Sequence, residues 1–141
     1  MSIQTPHIAV DGIVEIYIAG EFRGVVLINR KNPPLGTALP GGFMEVGEFI
    51  VTALKREMRE EIGLDVQIEH LLGIYSDPER DKRFHAVSAV YVASANAYPQ
   101  AGSDALNVKV VTLDQLLDEA LLFDHAQIIF DYLEYKNSPF T

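Results

Sequence analysis

Glu57, Glu60 and Glu61 are the side chains of this sequence best placed to do chemistry together. They sit in residues 41–64, GGFMEVGEFIVTALKREMREEIGL, a stretch that runs from a glycine-rich turn through a helix to a glycine stop. At about 100° per residue the three carboxylates share one helix face within about 100° of arc. Ile50, Leu54, Met58 and Ile62 share the adjoining face. Such a helix buries one stripe and presents three carboxylates beside it. Clustered like charges repel and raise one another's pKa. A solvated helix gains little from that arrangement, whereas a hard divalent cation is held well by it. Mg²⁺ prefers oxygen ligands and commonly binds through carboxylates together with substrate phosphates.

The surrounding elements must hold this helix. Residues 7–18 alternate loosely and predict a strand, with Gly12 as a break or bulge. Residues 19–21 predict a tight turn, and the apolar run 24–28 a buried strand paired with the first. Pro33, Pro34, Gly36 and Pro40 then forbid a helix and predict a rigid loop with a short extended piece near 37–39. The helix begins near Glu48 and stops at Gly63, a residue suited to a left-handed cap. Glu48 has two readings: a favourable charge at the helix N-terminus, or a partner that orients Arg56. Strands follow at 64–75, 85–95 and 107–113, separated by a charged loop at 76–83 and a polar one at 96–104. Thr112 or Asp114 caps a short helix over 113–120, and Asp124 caps a last helix over 124–136. Strands, helix, strands and helices in that order predict an α/β class with a mixed sheet between helical layers.

The segment around the three carboxylates fits the pattern G-x5-E-x7-R-E-U-x-E-E-x-G-U, U being apolar, at every fixed position: Gly42, Glu48, Arg56, Glu57, Met58, Glu60, Glu61, Gly63 and Leu64. On those residues the chain resembles the Nudix hydrolases. The resemblance implies a Nudix α/β/α sandwich and divalent-metal-dependent hydrolysis of a nucleoside diphosphate linked to another group. It also implies metal held by Glu57, Glu60, Glu61 and the Gly42 carbonyl, with Mg²⁺ or Mn²⁺ as the ion. Glu48 and Arg56 then support the site. Glu60 or Glu61 takes the proton of the attacking water, with Asp104 as an alternative; the bland reading of Asp104 is a turn residue ahead of a strand.

Residues 76–83, SDPERDKR, resemble a stretch of the small ADP-ribose pyrophosphatases of that family, with Lys82 where a second proline is usual. Pro78, fifteen residues past Gly63, agrees with that subfamily. The resemblance makes ADP-ribose the leading substrate, cleaved to AMP and ribose 5-phosphate, and Arg30, Arg80 and Arg83 candidate substrate contacts. Arg30 reads equally as a charge leaving the sheet edge, and the loop arginines as a solvated turn. Tyr17, Phe22, Tyr75, Phe84 and Tyr91 are candidates to contact the base, although aromatics at alternating strand positions commonly belong to the core. His85 and His125 read as structural. A homodimer is implied by the resemblance alone. Alternatives are a house-cleaning nucleoside triphosphate pyrophosphohydrolase and, from another class, a non-catalytic ADP-ribose or nucleotide sensor.

Composition narrows the partners. A net charge of −9 disfavours nucleic-acid binding, which needs a basic surface. An anionic small substrate then depends on bound cations. No cysteine is present, so thiolate chemistry and disulfides are excluded. The 141 residues are enough for one domain with a substantial core, taken as 1–141. With no leader-like N-terminus and no apolar run of membrane-spanning length, a cytoplasmic location is the expectation.

Overall fold

The computed structural model describes residues 2–102 and 104–138; of the 96–104 loop, Ser103 lies outside the described residues. The elements are β1 (His7–Ile18), β2 (Glu21–Arg30), β3 (Thr37–Ala38), β4 (Gly41–Phe43), α1 (Ile50–Ile62), β5 (Gln67–Tyr75), β6 (Ala86–Ala95), β7 (Ala105–Val111), α2 (Leu113–Leu116) and α3 (His125–Lys136). The strands form one mixed sheet in the order β3-β2-β1-β6-β5, with β4 added to β1 and β7 to β2. β1 is its axis. It runs parallel to β6 over ten residue pairs and antiparallel to β2 and β4.

The apolar pattern explains the layering. β1 is buried from Ala9 to Ile16, as a strand covered on both faces must be. Val10, Val14 and Ile16 meet Ala53, Leu54, Met58 and Ile62 of α1 in one core cluster. Ile13 meets Leu116, Ile128, Ile129 and Tyr132, from α2 and α3, in a second cluster on the other face. The result is a mixed sheet between helices, the α/β architecture that the sequence predicts.

Several local expectations need correction. Gly12 is neither a break nor a bulge: it stays in register opposite Tyr91 and donates its N–H to the Pro40 carbonyl at 2.9 Å. Its missing side chain lets α1 lie close, since a Cβ there would meet Met58 Sδ at 3.2 Å. The β1 irregularity falls at Ile16/Tyr17, ahead of a hairpin turn whose Ala19 and Gly20 both have positive φ. The helix predicted over 113–120 is only Leu113–Leu116, capped by Thr112 in a capping box with Gln115. Asp124 occupies the N-cap position of α3 but makes no capping hydrogen bond. Both its carboxylate oxygens accept instead from Arg80, at 2.9 and 2.8 Å.

Candidate active site

α1 delivers its acidic face to the edge of β4. Gly63 closes the helix at φ 67, its N–H donating to the Arg59 carbonyl at 3.2 Å and the following Leu64 N–H to the Met58 carbonyl at 3.4 Å. Residues 100–102 are stitched onto the last turn: Gln100 N–H donates to Ile62 O at 2.9 Å and Gly102 N–H to Glu61 O at 2.8 Å. That stitching brings Asp104 close enough for its charge to act on Glu57 and Glu61.

Arg56 spends its whole fork inside the motif. Nε and Nη2 grip Glu48 at 2.8 and 3.0 Å, and Nη2 also reaches the Phe43 carbonyl at 2.9 Å. Nη1 donates to Glu57 at 2.8 Å and to Glu60 at 3.2 Å. The Arg56 hydrogen bonds hold Glu48 down at about 2, and those to Glu48 in turn raise the guanidinium above its ordinary value. Of the two readings of Glu48, this geometry is that of a partner for Arg56.

Glu61 stands apart. It is 4% exposed, has no cationic partner among the described residues, and accepts one hydrogen bond, from Gly41 N–H at 3.1 Å. Burial pushes its carboxyl up to about 8, against that hydrogen bond, and the charges of Glu57, Asp11 and Asp104 push the same way. Glu57 is also raised, by burial first, with Arg56 opposing. Glu60 lies at the rim, its side chain 51% exposed.

Among the described residues no three acidic or histidine side chains are already gathered as a metal-ligating cluster. The donor chemistry nevertheless fits a hard divalent ion. Every side-chain donor is a carboxylate, and the most buried one, Glu61, is destabilised by burial and by the negative charges of Glu57, Asp11 and Asp104. Gly42 presses its backbone onto Glu57 where a Cβ would sit 2.3 Å from the carboxyl carbon. Only glycine permits that approach.

A pH signature follows from Glu61. Its folded pKa lies above the ordinary 4.5, so the metal-free fold binds a proton that the unfolded chain has released. This contribution is fully present below about pH 4.5 and is lost as pH rises through about 8. Metal binding requires the ionised carboxylate and relieves the repulsion. Scanning fluorimetry should therefore show a larger Mg²⁺-induced rise in Tm at pH 8.5 than at pH 6. An equal or smaller rise at pH 8.5 would contradict the assignment.

The arginines part company. Arg80, predicted to contact substrate, is 8% exposed and committed to Asp124, with Nη1 approaching the Ala86 carbonyl at 3.5 Å. It is a strut between the 76–83 loop and α3. Arg80→Met should cost about 3 kcal/mol in urea denaturation, because it strands a part-buried carboxylate; a loss below about 0.5 kcal/mol, ordinary for surface changes, would contradict the strut. Arg83 is paired with Asp81 at 2.8 Å and lies over Phe84, 5.0 Å from the ring centre. Arg30 donates Nε to the Pro34 carbonyl at 2.9 Å. Arg30, Arg80 and Arg83 all line a small cleft of about 60 Å³ that also touches Gly41, Gly42, Glu61, Asp11 and His125. Beyond it opens a cleft of about 770 Å³, walled by the 76–83 loop, Pro34, Ile74, Tyr75, Leu122, Phe123 and Gln127.

Sequence reasoning missed the floor of the small cleft. Asp11 is buried and accepts from the Ser88 hydroxyl; His125 Nδ1 accepts the Leu39 N–H at 3.0 Å, and its Nε2 lies 3.9 Å from Asp11. Burial holds His125 below its ordinary pKa, with Asp11 opposing. The alternation of β1 places Asp11 on the α3 face with Ile13 and Glu15, which was the available signal. Of the five candidate aromatics only Tyr75 lines the wide cleft, and its hydroxyl donates to Asp131 at 2.6 Å. Phe84 packs against His7 and Phe43, Tyr17 against Phe22, and Tyr91 against the α1-side core. His85 rests on the Ser76 carbonyl at 3.0 Å.

The chain also matches known proteins in sequence and in fold. The NUDIX domain family model matches residues 8–132. The chain is 42% identical over 135 residues to an ADP-ribose pyrophosphatase of Methanocaldococcus jannaschii, covering 94% of this chain and 76% of that protein. A MutT/nudix family protein from Enterococcus faecalis superposes with a TM-score of 0.81 at 28% identity, covering 96% of this chain and 63% of that one. The NUDIX domain of Shewanella oneidensis NrtR, solved in complex with ADP ribose, superposes with a TM-score of 0.82. At 24% identity over 96% of this chain and 91% of that one, it speaks for the fold.

Proposed function

The chain belongs to the NUDIX domain family and is a Nudix hydrolase, and from that premise we propose that it hydrolyses ADP-ribose, as one domain over 1–141, to AMP and ribose 5-phosphate. The observation that carries the choice of substrate is the charge balance of the wide cleft. Its cations are already matched: Arg80 by Asp124, Arg83 by Asp81, Lys82 by Glu79 at 3.8 Å. Pro34, Ile74, Leu122 and Phe123 supply apolar wall beside them. A site of this kind suits an uncharged sugar or nucleoside joined to a diphosphate. A further phosphate would find no uncompensated cation there. This supports the reading over a nucleoside triphosphate pyrophosphohydrolase, and the retained set of Glu57, Glu60 and Glu61 supports it over a sensor.

In the mechanism, Glu57, Glu60 and Glu61 with the Gly42 backbone hold the divalent ion, Mg²⁺ or Mn²⁺. When bound, it neutralises developing charge on the diphosphate and lowers the pKa of a water. Arg30, which has no carboxylate partner among the described residues, draws the diphosphate to the small cleft, with Arg83 beside it paired to Asp81. Arg56, clamped by Glu48, holds Glu57 and Glu60 at their spacing. Glu60 or Glu61 accepts the proton of the attacking water, with Asp104 beside them as the alternative. Glu61 has the stronger claim, because its buried carboxylate is the least stabilised by protein partners.

Among the described residues no helix is long and apolar enough to cross a membrane. The proposal includes a homodimer in the cytoplasm, which sedimentation and fractionation would test. The activity itself is tested by incubating the protein with ADP-ribose and Mg²⁺ and resolving the products by ion exchange. AMP and ribose 5-phosphate in equal amounts, abolished by EDTA, are the expected result; no turnover, or turnover unaffected by EDTA, would refute it.

A further inference from the structure

Phe123 stands where the small cleft meets the wide one, and it lines both. Its backbone is left-handed, at φ 58, a conformation glycine adopts freely and phenylalanine adopts at a cost. The turn is fixed from both sides. Leu122 N–H donates to the Thr37 carbonyl at 2.9 Å, and the N–H of buried His125 donates to the Leu122 carbonyl at 3.1 Å. The turn itself has no need of an aromatic side chain, so the reason for one lies in what the ring touches. Two guanidinium groups converge on it: Arg30 at 5.7 Å and Arg83 at 5.6 Å from the ring centre. Both distances lie within cation–π range.

The two arginines differ in what else holds them. Arg83 has Asp81 on two nitrogens. Arg30 has only the Pro34 carbonyl, on Nε, and no carboxylate among the described residues. Its head is therefore the uncompensated cation beside an acidic site. Left to itself, a long cationic side chain next to several carboxylates would be drawn onto them. A carboxylate partner would restrain it but would also cancel the charge. An aromatic ring restrains it and leaves the charge available for an anion.

From this we propose that Phe123 is a positioning residue, whose ring holds Arg30 over the small cleft so that it receives the diphosphate group of the substrate, Arg83 being held already by Asp81. The inference rests on the diphosphate reading above and adds a residue to it. Phe123 touches no reacting atom; it acts through Arg30.

The test uses two readouts. Inorganic pyrophosphate binding in the presence of Mg²⁺, by calorimetry, requires no turnover; steady-state kinetics on ADP-ribose gives kcat and KM separately. Phe123→Leu should weaken pyrophosphate binding and raise KM by about fivefold each, on the scale of one part-exposed cation–π contact, with kcat within about twofold of the parent. Phe123→Tyr, which keeps the ring, should restore both. In an Arg30→Met background Phe123→Leu should lose most of its effect. Phe123→Gly, which frees the backbone, should behave as Phe123→Leu does and covers the case in which that variant misfolds. Full additivity with Arg30→Met, failure of Phe123→Tyr to rescue, a fall in kcat at unchanged KM, or no pyrophosphate binding by the parent would each overturn the proposal. ADP-ribose left uncleaved by a parent whose pyrophosphate binding follows the expected pattern would refute the substrate reading and leave Phe123 its role.

Discussion

Glu61→Gln should lower kcat/KM for the hydrolysed substrate on the order of 10³-fold, the scale of several kcal/mol of charge stabilisation, while leaving the metal-free protein at least as stable as the parent at pH 8. The two halves of this result have one cause. The Glu61 carboxylate is 4% exposed, carries one hydrogen bond, from Gly41, and faces the charges of Glu57, Asp11 and Asp104. A glutamine can still accept from Gly41 N–H through its amide oxygen. It removes a buried charge that metal-free folding must work against, and with it an oxygen proposed to hold the divalent ion. Tm at pH 8 without metal, the Mg²⁺-induced rise in Tm, and kcat/KM together check the account. The rise in Tm should shrink sharply with the activity. Near-parental activity, or a large loss of metal-free stability, would remove Glu61 from the metal site.

Arg56→Met should fail in the other way, losing stability and activity together. Glu48, Glu57, Glu60 and the Phe43 carbonyl all accept hydrogen bonds from this one guanidinium. Without it, Glu57 and Glu48, each with a side chain only 14% exposed, lose their main counter-charge. The urea midpoint should fall, because part-buried Glu57 is left without its counter-charge. kcat/KM should fall by about 10²-fold, the upper end for groups that orient metal ligands. Arg56→Lys should recover only a small part, because an ammonium cannot reproduce the planar fork. The acid limb of stability should also flatten. Glu48, held at about 2, contributes stability present above about 4.5 and lost as pH falls toward 2, and the part owed to Arg56, its largest cause, goes with the guanidinium, while the Glu45 N–H hydrogen bond stays. Parental urea midpoints for Arg56→Met would contradict the clamp.

What could be read from the chain beforehand divides along physical lines. α1 was legible because its chemistry and its burial share one local period: Leu54, Met58 and Ile62 face the core while Glu57 and Glu60 sit beside them. Strand positions were legible from β-branched runs, and the Gly63 cap from its place after the apolar stripe. Contacts that join residues far apart in sequence were not. Asp124 looked like a helix cap, yet its oxygens serve Arg80, 44 residues away. Gly12 looked like a flaw in a strand, yet it admits Met58. Arg30 at a strand end and Arg80 and Arg83 in a charged loop were alike as candidate substrate contacts; burial and the positions of Asp81 and Asp124 separate them into one uncompensated cation, one committed strut and one neutralised cation. Asp11 had a local signal in the alternation of β1, but His125 and Phe123 enter the site only through the turn before α3, which no local pattern encodes.

The proposed substrate depends most on these long-range features, since the role proposed for the Glu57–Glu61 face concerns only the diphosphate and its metal. It is tested most directly by kcat/KM measured with Mg²⁺ for ADP-ribose, other nucleoside diphosphate sugars, dinucleotides and nucleoside triphosphates in parallel. The charge-matched wide cleft predicts ADP-ribose or a close diphosphate sugar at the head of the series, with triphosphates at least about tenfold below, a difference of one uncompensated phosphate worth about 1.4 kcal/mol. A triphosphate at the head would contradict it.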